Sequence, residues 1–297
     1  MDQNLLKKLQ KAQLRELKAV ADFCEAHGIT YILDSGTLLG AIRHGGFIPW
    51  DDDVDICMDV ENYRKFLKIS HLLDPDYFVQ NYRTDEHMNV CWTKIRINGT
   101  TITPVYMPMT DSHCGACLDI FIINGIARTS VGRWMQKQAD SLMRALMNQE
   151  EKMLTGLPIS RGTAFLQRFP YPLRKVLAQL AEAILLIPTQ RSDLCYNGYY
   201  HPGSSNMVQM PAGAYRPENL IRMKFEDGEF WCPKDYDTIL TAYYGDWRTP
   251  PEESERYGHG DLLIDLEHDY HFYFKGPGTV PADVLNEKKA ETDNSLS

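Results

Sequence analysis

The segment from Asp34 to Asp55, Asp-Ser-Gly-Thr-Leu-Leu-Gly-Ala-Ile-Arg-His-Gly-Gly-Phe-Ile-Pro-Trp-Asp-Asp-Asp-Val-Asp, constrains this chain more than any other. A glycine-bearing turn leads into four aspartates within five positions, Asp51, Asp52, Asp53 and Asp55, at the start of an apolar strand. Carboxylates so close repel one another and cost stability unless a cation sits among them. A bound divalent ion is the economical explanation. Alternation along the strand sends Asp53, Asp55 and Cys57 to one side and Val54, Ile56 and Met58 to the core. Mg²⁺ suits such a pair, since it takes one or two carboxylates and fills its shell with water and substrate phosphates; Mn²⁺ is the alternative ion. Upstream, Gly36 and Gly40 flank a turn whose backbone N–H groups can cradle a phosphate beside the metal. A bare Asp-x-Asp is as readily a solvated loop before an edge strand, and the turn is what points to function.

Bulk composition bounds the class. At 297 residues the chain can bury a substantial core, and 43% hydrophobic with 24% charged residues is ordinary globular usage, so one elaborated domain or two is expected. A formal net charge of −9 and a pI near 5.5 argue against nucleic acid as a partner, because phosphate-backbone affinity needs clustered Lys and Arg. The seven cysteines follow no framework spacing and read as reduced thiols of a cytosolic protein. Met1 to Gly28 is interrupted by Lys7, Lys8, Lys11, Arg15 and Lys18 and so lacks the apolar core of a secretion signal. Val176 to Pro188 is too short to span a membrane and carries Gln179 and Glu182. The expected location is cytoplasmic, with the inner face of the membrane as the alternative for a chain resting on its surface.

Leu5, Leu6, Leu9, Leu14, Leu17, Ala21 and Cys24 recur at helical spacing and predict a helix over 4–26 that Gly28 stops. Thr30 to Leu33 reads as a strand, Thr37 to Arg43 as a short helix, Asp53 to Met58 as a strand, and Asp59 as the N-cap of a helix through Ile69. Tyr77 to Gln80, Val90 to Ile97 and Ala116 to Ile122 are further strands. Residues 1–125 thus form a mixed α/β core. Residues 126–200 carry a helical insertion, with helices at Trp134 to Leu154, Ala164 to Arg168 and Leu173 to Leu186. Residues 201–274 return to the catalytic unit with a hairpin whose tip is Asp227-Gly228 and a helix from Lys234 to Tyr244. Residues 275–297, poor in large apolar side chains, are expected to be disordered.

A third carboxylate is expected on a neighbouring strand, and Asp119, within Cys-Leu-Asp-Ile-Phe-Ile, fits: an aspartate in an apolar strand is costly unless paired or metal-bound. Strand, Gly-containing turn, helix, Asp-x-Asp strand and a later strand with one Asp resembles the α+β, polymerase-β-like nucleotidyltransferase fold, a mixed sheet flanked by helices. Asp34-Ser-Gly-Thr-Leu-Leu-Gly40, Arg43-His-Gly-Gly46, Pro49-Trp-Asp-Asp-Asp-Val-Asp55, Leu118-Asp-Ile-Phe121 and Tyr244-Gly-Asp-Trp-Arg-Thr-Pro-Pro251 resemble the LicD family, which includes fukutin and its relatives. The resemblance runs in order from about Ile29 to His259. It implies transfer of a substituted phosphate from a cytidine diphosphate donor, CDP-choline or a related CDP-alcohol, to a hydroxyl of a glycan or lipid-linked glycan, most often phosphocholine onto a teichoic acid or lipooligosaccharide precursor. It also implies Asp53, Asp55 and Asp119 as catalytic metal ligands and Ser35, Gly36 and Thr37 as the phosphate-contacting turn. Asp119 either completes the metal shell or takes the acceptor proton.

Other residues are weighed on chemistry alone. Arg43 and His44 precede a Gly-Gly and are candidates to neutralise a diphosphate, against a bland surface reading. Lys94 and Arg96 share one face of a strand, as a phosphate clamp or a solvated face. Tyr196, Tyr199, Tyr200, Tyr243, Tyr244 and Trp247 are core aromatics or walls of a cage for a quaternary ammonium, with the Tyr196 to Tyr200 segment and Trp247 as the first candidates. His113, Cys114 and Cys117 make half a zinc site with no second half. Leu173 to Leu186, led by Arg174 and Lys175, suits bundle packing more than a peripheral membrane contact. The expected activity is phosphotransfer with release of CMP; the alternatives are ribitol or glycerol phosphate transfer, nucleotidyl transfer to a protein or small molecule, and an inactive glycan- or nucleotide-binding relative.

Overall fold

The structure, a computed structural model, describes residues 2–187, 192–199, 201–256 and 258–286. Helix α1 (Gln3–Ala26) buries Leu6, Leu9, Gln13, Leu17, Val20 and Cys24, a 3–4 repeat that lays one stripe on the sheet, and it ends where Gly28 takes a left-handed φ of 63°. Strand β1 (Ile32–Leu33) leads into α2 (Ser35–His44), β2 (Asp55–Asp59) and α3 (Val60–Ile69), whose N-cap Asp59 accepts from the Asn62 N–H at 2.8 Å. Strands β3 (Tyr77–Gln80), β4 (Thr93–Ile97), β5 (Thr101–Pro104) and β6 (Cys117–Gly125) follow.

The sheet is mixed and organised on β6. Strand β2 runs parallel to it on one flank, with Asp55 opposite Asp119. On the other flank β4 pairs with residues 117–120 and β7 (Leu194–Asn197) with residues 123–125, both antiparallel. Phe121 and Ile122 therefore fall in a gap between two successive partners. The order is β1-β2-β6-β4-β3, with β7 bonded to β6 and to β8 (Met210–Pro211). On one side of each strand Ile56, Met58, Leu118, Ile120 and Ile95 are fully or almost fully buried, and they join α1 to α3 in the main core.

The expected long helix over 134–154 is two, α4 (Ser130–Leu146) and α5 (Glu150–Leu154), because Asn148 turns its backbone N–H to Met88 and its side chain to His87. Helix α4, with α6 (Arg161–Leu166) and α7 (Tyr171–Leu185), builds a second apolar cluster around Ala139, Met143, Ala178 and Ala181. The hairpin β9 (Leu220–Phe225) and β10 (Gly228–Pro233) and helix α8 (Tyr236–Tyr244) come where the turn chemistry placed them. Strand β11 (Leu262–Asp265) pairs with β5 across the sequence, an element the local pattern did not signal. Of residues 275–297, expected to be disordered, 287–297 lie outside the described residues and 275–286 are anchored: Val284 is buried with Met109, Tyr270 and Tyr273, and the Met109 N–H donates to the Thr279 carbonyl at 2.7 Å. All seven cysteines are free thiols, and both His113 ring nitrogens are engaged, with the Gly115 N–H and with Asn98, so the half zinc site is a structural turn. Among the described residues no helix is long and apolar enough to cross a membrane.

Candidate active site

Register across three strands sets the site. Asp55 on β2 lies opposite Asp119 on β6, and Asp119 lies opposite Lys94 on β4, so two carboxylates and an ammonium form one row on one face of the sheet. Lys94 Nζ donates to Asp119 Oδ1 at 2.6 Å and Oδ2 at 2.7 Å, and the Trp92 indole N–H donates to Oδ2 at 2.9 Å. Burial works against the Lys94 charge, but Asp119 more than offsets it and the ammonium stays above its ordinary range. A cleft of about 470 Å³ opens over the row, lined also by Ser35, Asp53, Arg96, Tyr199 and His259.

The aspartate loop is pinned from several sides. Gln10 donates to the Asp51 carbonyl and Gln13 to the Asp52 carbonyl, each at 2.9 Å, so α1 holds the loop against the sheet. Asp52 turns inward; its Oδ1 lies 2.5 Å from His259 Nδ1 and its Oδ2 accepts the His259 backbone N–H. That contact raises the imidazole to about 9. Asp51 is pushed up to about 8 by burial and by Asp53, while Asp53 and Asp55 are raised by burial and by neighbouring carboxylates. Gly36 is small for a reason: a Cβ there would sit 2.7 Å from Asp51 Oδ2.

Asp53 and Asp55 fit an oxygen-preferring divalent cation. Both face the cleft, their charges are unfavourable without a counter-charge, and the Asp55 carboxylate accepts no hydrogen bond among the described residues. Asp119 is placed beside them but engaged by Lys94. A different trio, Asp52, Asp53 and His259, has its ligand atoms within 4.8 Å of one another, yet Asp52 and His259 are already bonded to each other. The two-carboxylate set matches Mg²⁺ chemistry better than a set containing imidazole.

Three aromatics wall the cleft beside the row. Trp92, Phe121 and Tyr199 meet with ring centroids 5.2 to 5.9 Å apart. They meet at the gap on β6: Trp92 immediately precedes β4, Phe121 lies between the two partners, and Tyr199 follows β7 after Gly198, whose N–H donates to the Ile122 carbonyl at 2.9 Å. The same Trp92 and Tyr199 border a second open cleft of about 420 Å³ with Asn89, Arg144, Gln149 and His201.

The sequence candidates divide accordingly. Asp53, Asp55, Asp119, Ser35, Lys94, Arg96 and Tyr199 line one cleft. Gly36 and Thr37 stand behind it in the first turn of α2, and the Thr37 hydroxyl accepts the Asp55 N–H at 2.8 Å, so Thr37 ties helix to strand instead of facing a phosphate. Arg43 and His44 are a correction. They end the helix whose first residue faces the cleft, about 12 Å along its axis, and Arg43 donates to the Trp247 carbonyl at 2.8 Å. Trp247 is a second correction: it is buried against Tyr236, with its indole N–H on Asp237, and does not line the cleft. Tyr200 lies outside the described residues. Trp92, Phe121 and His259 were missed, although strand alternation places Trp92 on the face of Lys94, and Phe121 on that of Asp119.

The site is thus a carboxylate row on a mixed sheet, beside a helix N-terminus and an apolar-walled cleft. Residues 28–139 match the family described as LicD/FKTN/FKRP, nucleotidyltransferase domain, and the chain carries a LicD-family domain there. It is similar, at 26% identity over 284 residues, to the Haemophilus influenzae protein named lipopolysaccharide cholinephosphotransferase LicD, covering 84% of this chain and 97% of that one. Human ribitol 5-phosphate transferase FKRP is 47% identical over 53 residues, 16% of this chain and 11% of its own length. A yeast protein, mannosyltransferase regulator 4, is 26% identical over 150 residues, 49% of this chain and 12% of its own.

Proposed function

We propose that this protein is a phosphotransferase of polymerase-β-like nucleotidyltransferase fold that moves phosphocholine from CDP-choline to a hydroxyl of a cell-surface glycan precursor, a teichoic acid or lipooligosaccharide, and releases CMP. The observation that carries this reading is the adjacency of the Asp55–Asp119–Lys94 row to the Trp92, Phe121 and Tyr199 rings in one cleft. Choline is a cation that cannot donate a hydrogen bond, and aromatic faces hold it at about 0.5 to 2 kcal/mol per good contact. The similarity to a protein named for cholinephosphate transfer supports the same head group.

Asp53 and Asp55 would hold Mg²⁺, or Mn²⁺ in its place, which when bound neutralises diphosphate charge and steadies the attacking and leaving oxygens. In the transfer the acceptor oxygen forms a bond to the distal phosphorus and the bond from that phosphorus to the CMP oxygen breaks. The hydroxyl proton passes to Asp119, whose carboxylate Lys94 and Trp92 hold in one orientation. Arg96, fixed by Gln80 and the Gly115 carbonyl, adds positive potential to the floor of the cleft. The second cleft, across Trp92 and Tyr199, is where the acceptor approaches.

The test incubates purified protein and a glycan acceptor with choline-labelled CDP-choline, with Mg²⁺ or with chelator. Label transfer and CMP release with the ion, and neither with chelator, is the expected result. Consumption of CDP-ribitol or CDP-glycerol in preference reassigns the head group, and nucleotide transfer from ATP without CDP-alcohol turnover overturns the reading.

A further inference from the structure

Packing against α4 uses only one face of α7. Ala178, Ala181 and Leu185 are buried against Met143 and Leu146, while Leu173, Val176, Leu180 and Ile184, at 3–4 spacing, and Ile187 just beyond the helix form an apolar stripe 39 to 71% exposed. Met153, Leu157 and Phe165 on the preceding segments are each more than half exposed. Soluble monomers rarely leave so much contiguous apolar surface open. The charge around it is one-sided. From α5 to Ile187 the chain carries Lys152, Arg161, Arg168, Arg174 and Lys175 against Glu150, Glu151 and Glu182. Glu150 and Glu151 meet His87 and Asn89, Glu182 is spent inward on Tyr82 and Arg83, and Arg174 is turned inward on Leu146 and Gln167, so beyond α5 the outward charges are Arg161, Arg168 and Lys175. In a chain of net charge −9 this is a local reversal of sign.

We infer that the α5–α7 surface docks on an anionic lipid bilayer, lying in the interface with the stripe of α7 in the acyl boundary and its cations among the head groups. A second copy of the chain is a poorer occupant, because a two-fold contact would set these cations against themselves. The acidic remainder of the molecule would be repelled by the same bilayer, which fixes its orientation. The inference is independent of the donor, and a lipid-anchored acceptor would be met in the same plane.

The experiment is flotation of the full chain with phosphatidylcholine vesicles that contain or lack phosphatidylglycerol, at low and physiological salt, together with sizing in solution. Binding to the anionic vesicles, weakened by salt, is expected, with about fivefold weaker partitioning for Arg168→Gln or Lys175→Gln. Val176→Glu/Leu180→Glu should lose at least about tenfold with a circular dichroism melt close to the parent's, since both side chains are more than half exposed. Failure to float with anionic vesicles, equal flotation of the double variant, or a solution dimer that the double variant dissociates would each overturn the inference. None of these outcomes alters CMP release from CDP-choline with a soluble acceptor, so the docking face and the reaction fail separately.

Discussion

Lys94→Met removes the ammonium from the centre of the carboxylate row while keeping most of the side-chain volume. Lys94 and Asp119 side chains are only 16% and 13% exposed, and the Nζ–Oδ1 distance is 2.6 Å. Deleting one partner of a buried pair costs about 3 to 5 kcal/mol because the other charge is left uncompensated. The residual solvent on both groups, and the Trp92 N–H that Asp119 keeps, bring the expected loss to about 2 to 3 kcal/mol. For a chain of this size that is a fall in melting temperature of about 4 to 12 °C. Lys94→Met/Asp119→Leu removes both charges and should recover to within about 1 kcal/mol of the parent, the remainder being the indole N–H left without its acceptor. Divalent ions give an independent check. The single variant presents an extra net negative charge to the cleft, so Mg²⁺ should raise its melting temperature more than the parent's. Urea and thermal unfolding in chelator and in Mg²⁺ measure all of this. A Lys94→Met protein as stable as the parent, or a double variant as unstable as the single one, would refute the register that places Lys94 opposite Asp119.

Three further outcomes follow from the same geometry. Asp53→Asn and Asp55→Asn should each abolish transfer, yet hold or raise the melting temperature in chelator, because each removes a carboxylate from a buried like-charged set; turnover retained in both would remove them from the cation site. His259 is raised from 6.5 to about 9 by Asp52, so its stabilising contribution is complete below pH 6.5 and fades as pH rises through 9. The gap in urea midpoint between the parent and His259→Gln should close over that window, and a gap constant with pH would contradict the ion pair. Trp92→Ala, Phe121→Ala and Tyr199→Ala should weaken CDP-choline by about 2- to 30-fold while sparing CMP, whereas Trp247→Ala should lower the melting temperature without that selectivity; calorimetric titration of both ligands decides.

Strand parity was the most informative code in this sequence. It put Asp53, Asp55, Asp119, Lys94 and Arg96 on cleft-facing positions because a half-buried strand cannot exchange its faces without exposing Ile56, Leu118 or Ile95. Parity alone could not say which strands are neighbours. The opposition of Asp119 to Asp55 and Lys94, and the pairing of β5 with β11, join residues far apart in the chain and leave no local pattern. Arg43 and His44 were misplaced although the helix was read almost in full, since a helix that starts at the cleft necessarily ends away from it. Trp247 was chosen for its ring, but an indole carries enough apolar area to be core as easily as cage, and Asp237 supplies the partner for its N–H. The tail composition suggested disorder, yet a single buried valine and a few backbone hydrogen bonds suffice to anchor residues 275–286.

The gap on β6 has an evolutionary consequence. Phe121 is fixed by its place two residues after Asp119, but Trp92 and Tyr199 arrive on connections that only lead into β4 and out of β7. Those two connections lie outside the strand pairings that set the Asp55–Asp119–Lys94 register, although the Trp92 indole N–H also reaches Asp119 Oδ2. Under the proposed function, a lineage built on this scaffold could then alter part of the head-group wall at Tyr199 while keeping the register of the row, whereas a change at Trp92 also gives up a hydrogen bond to Asp119.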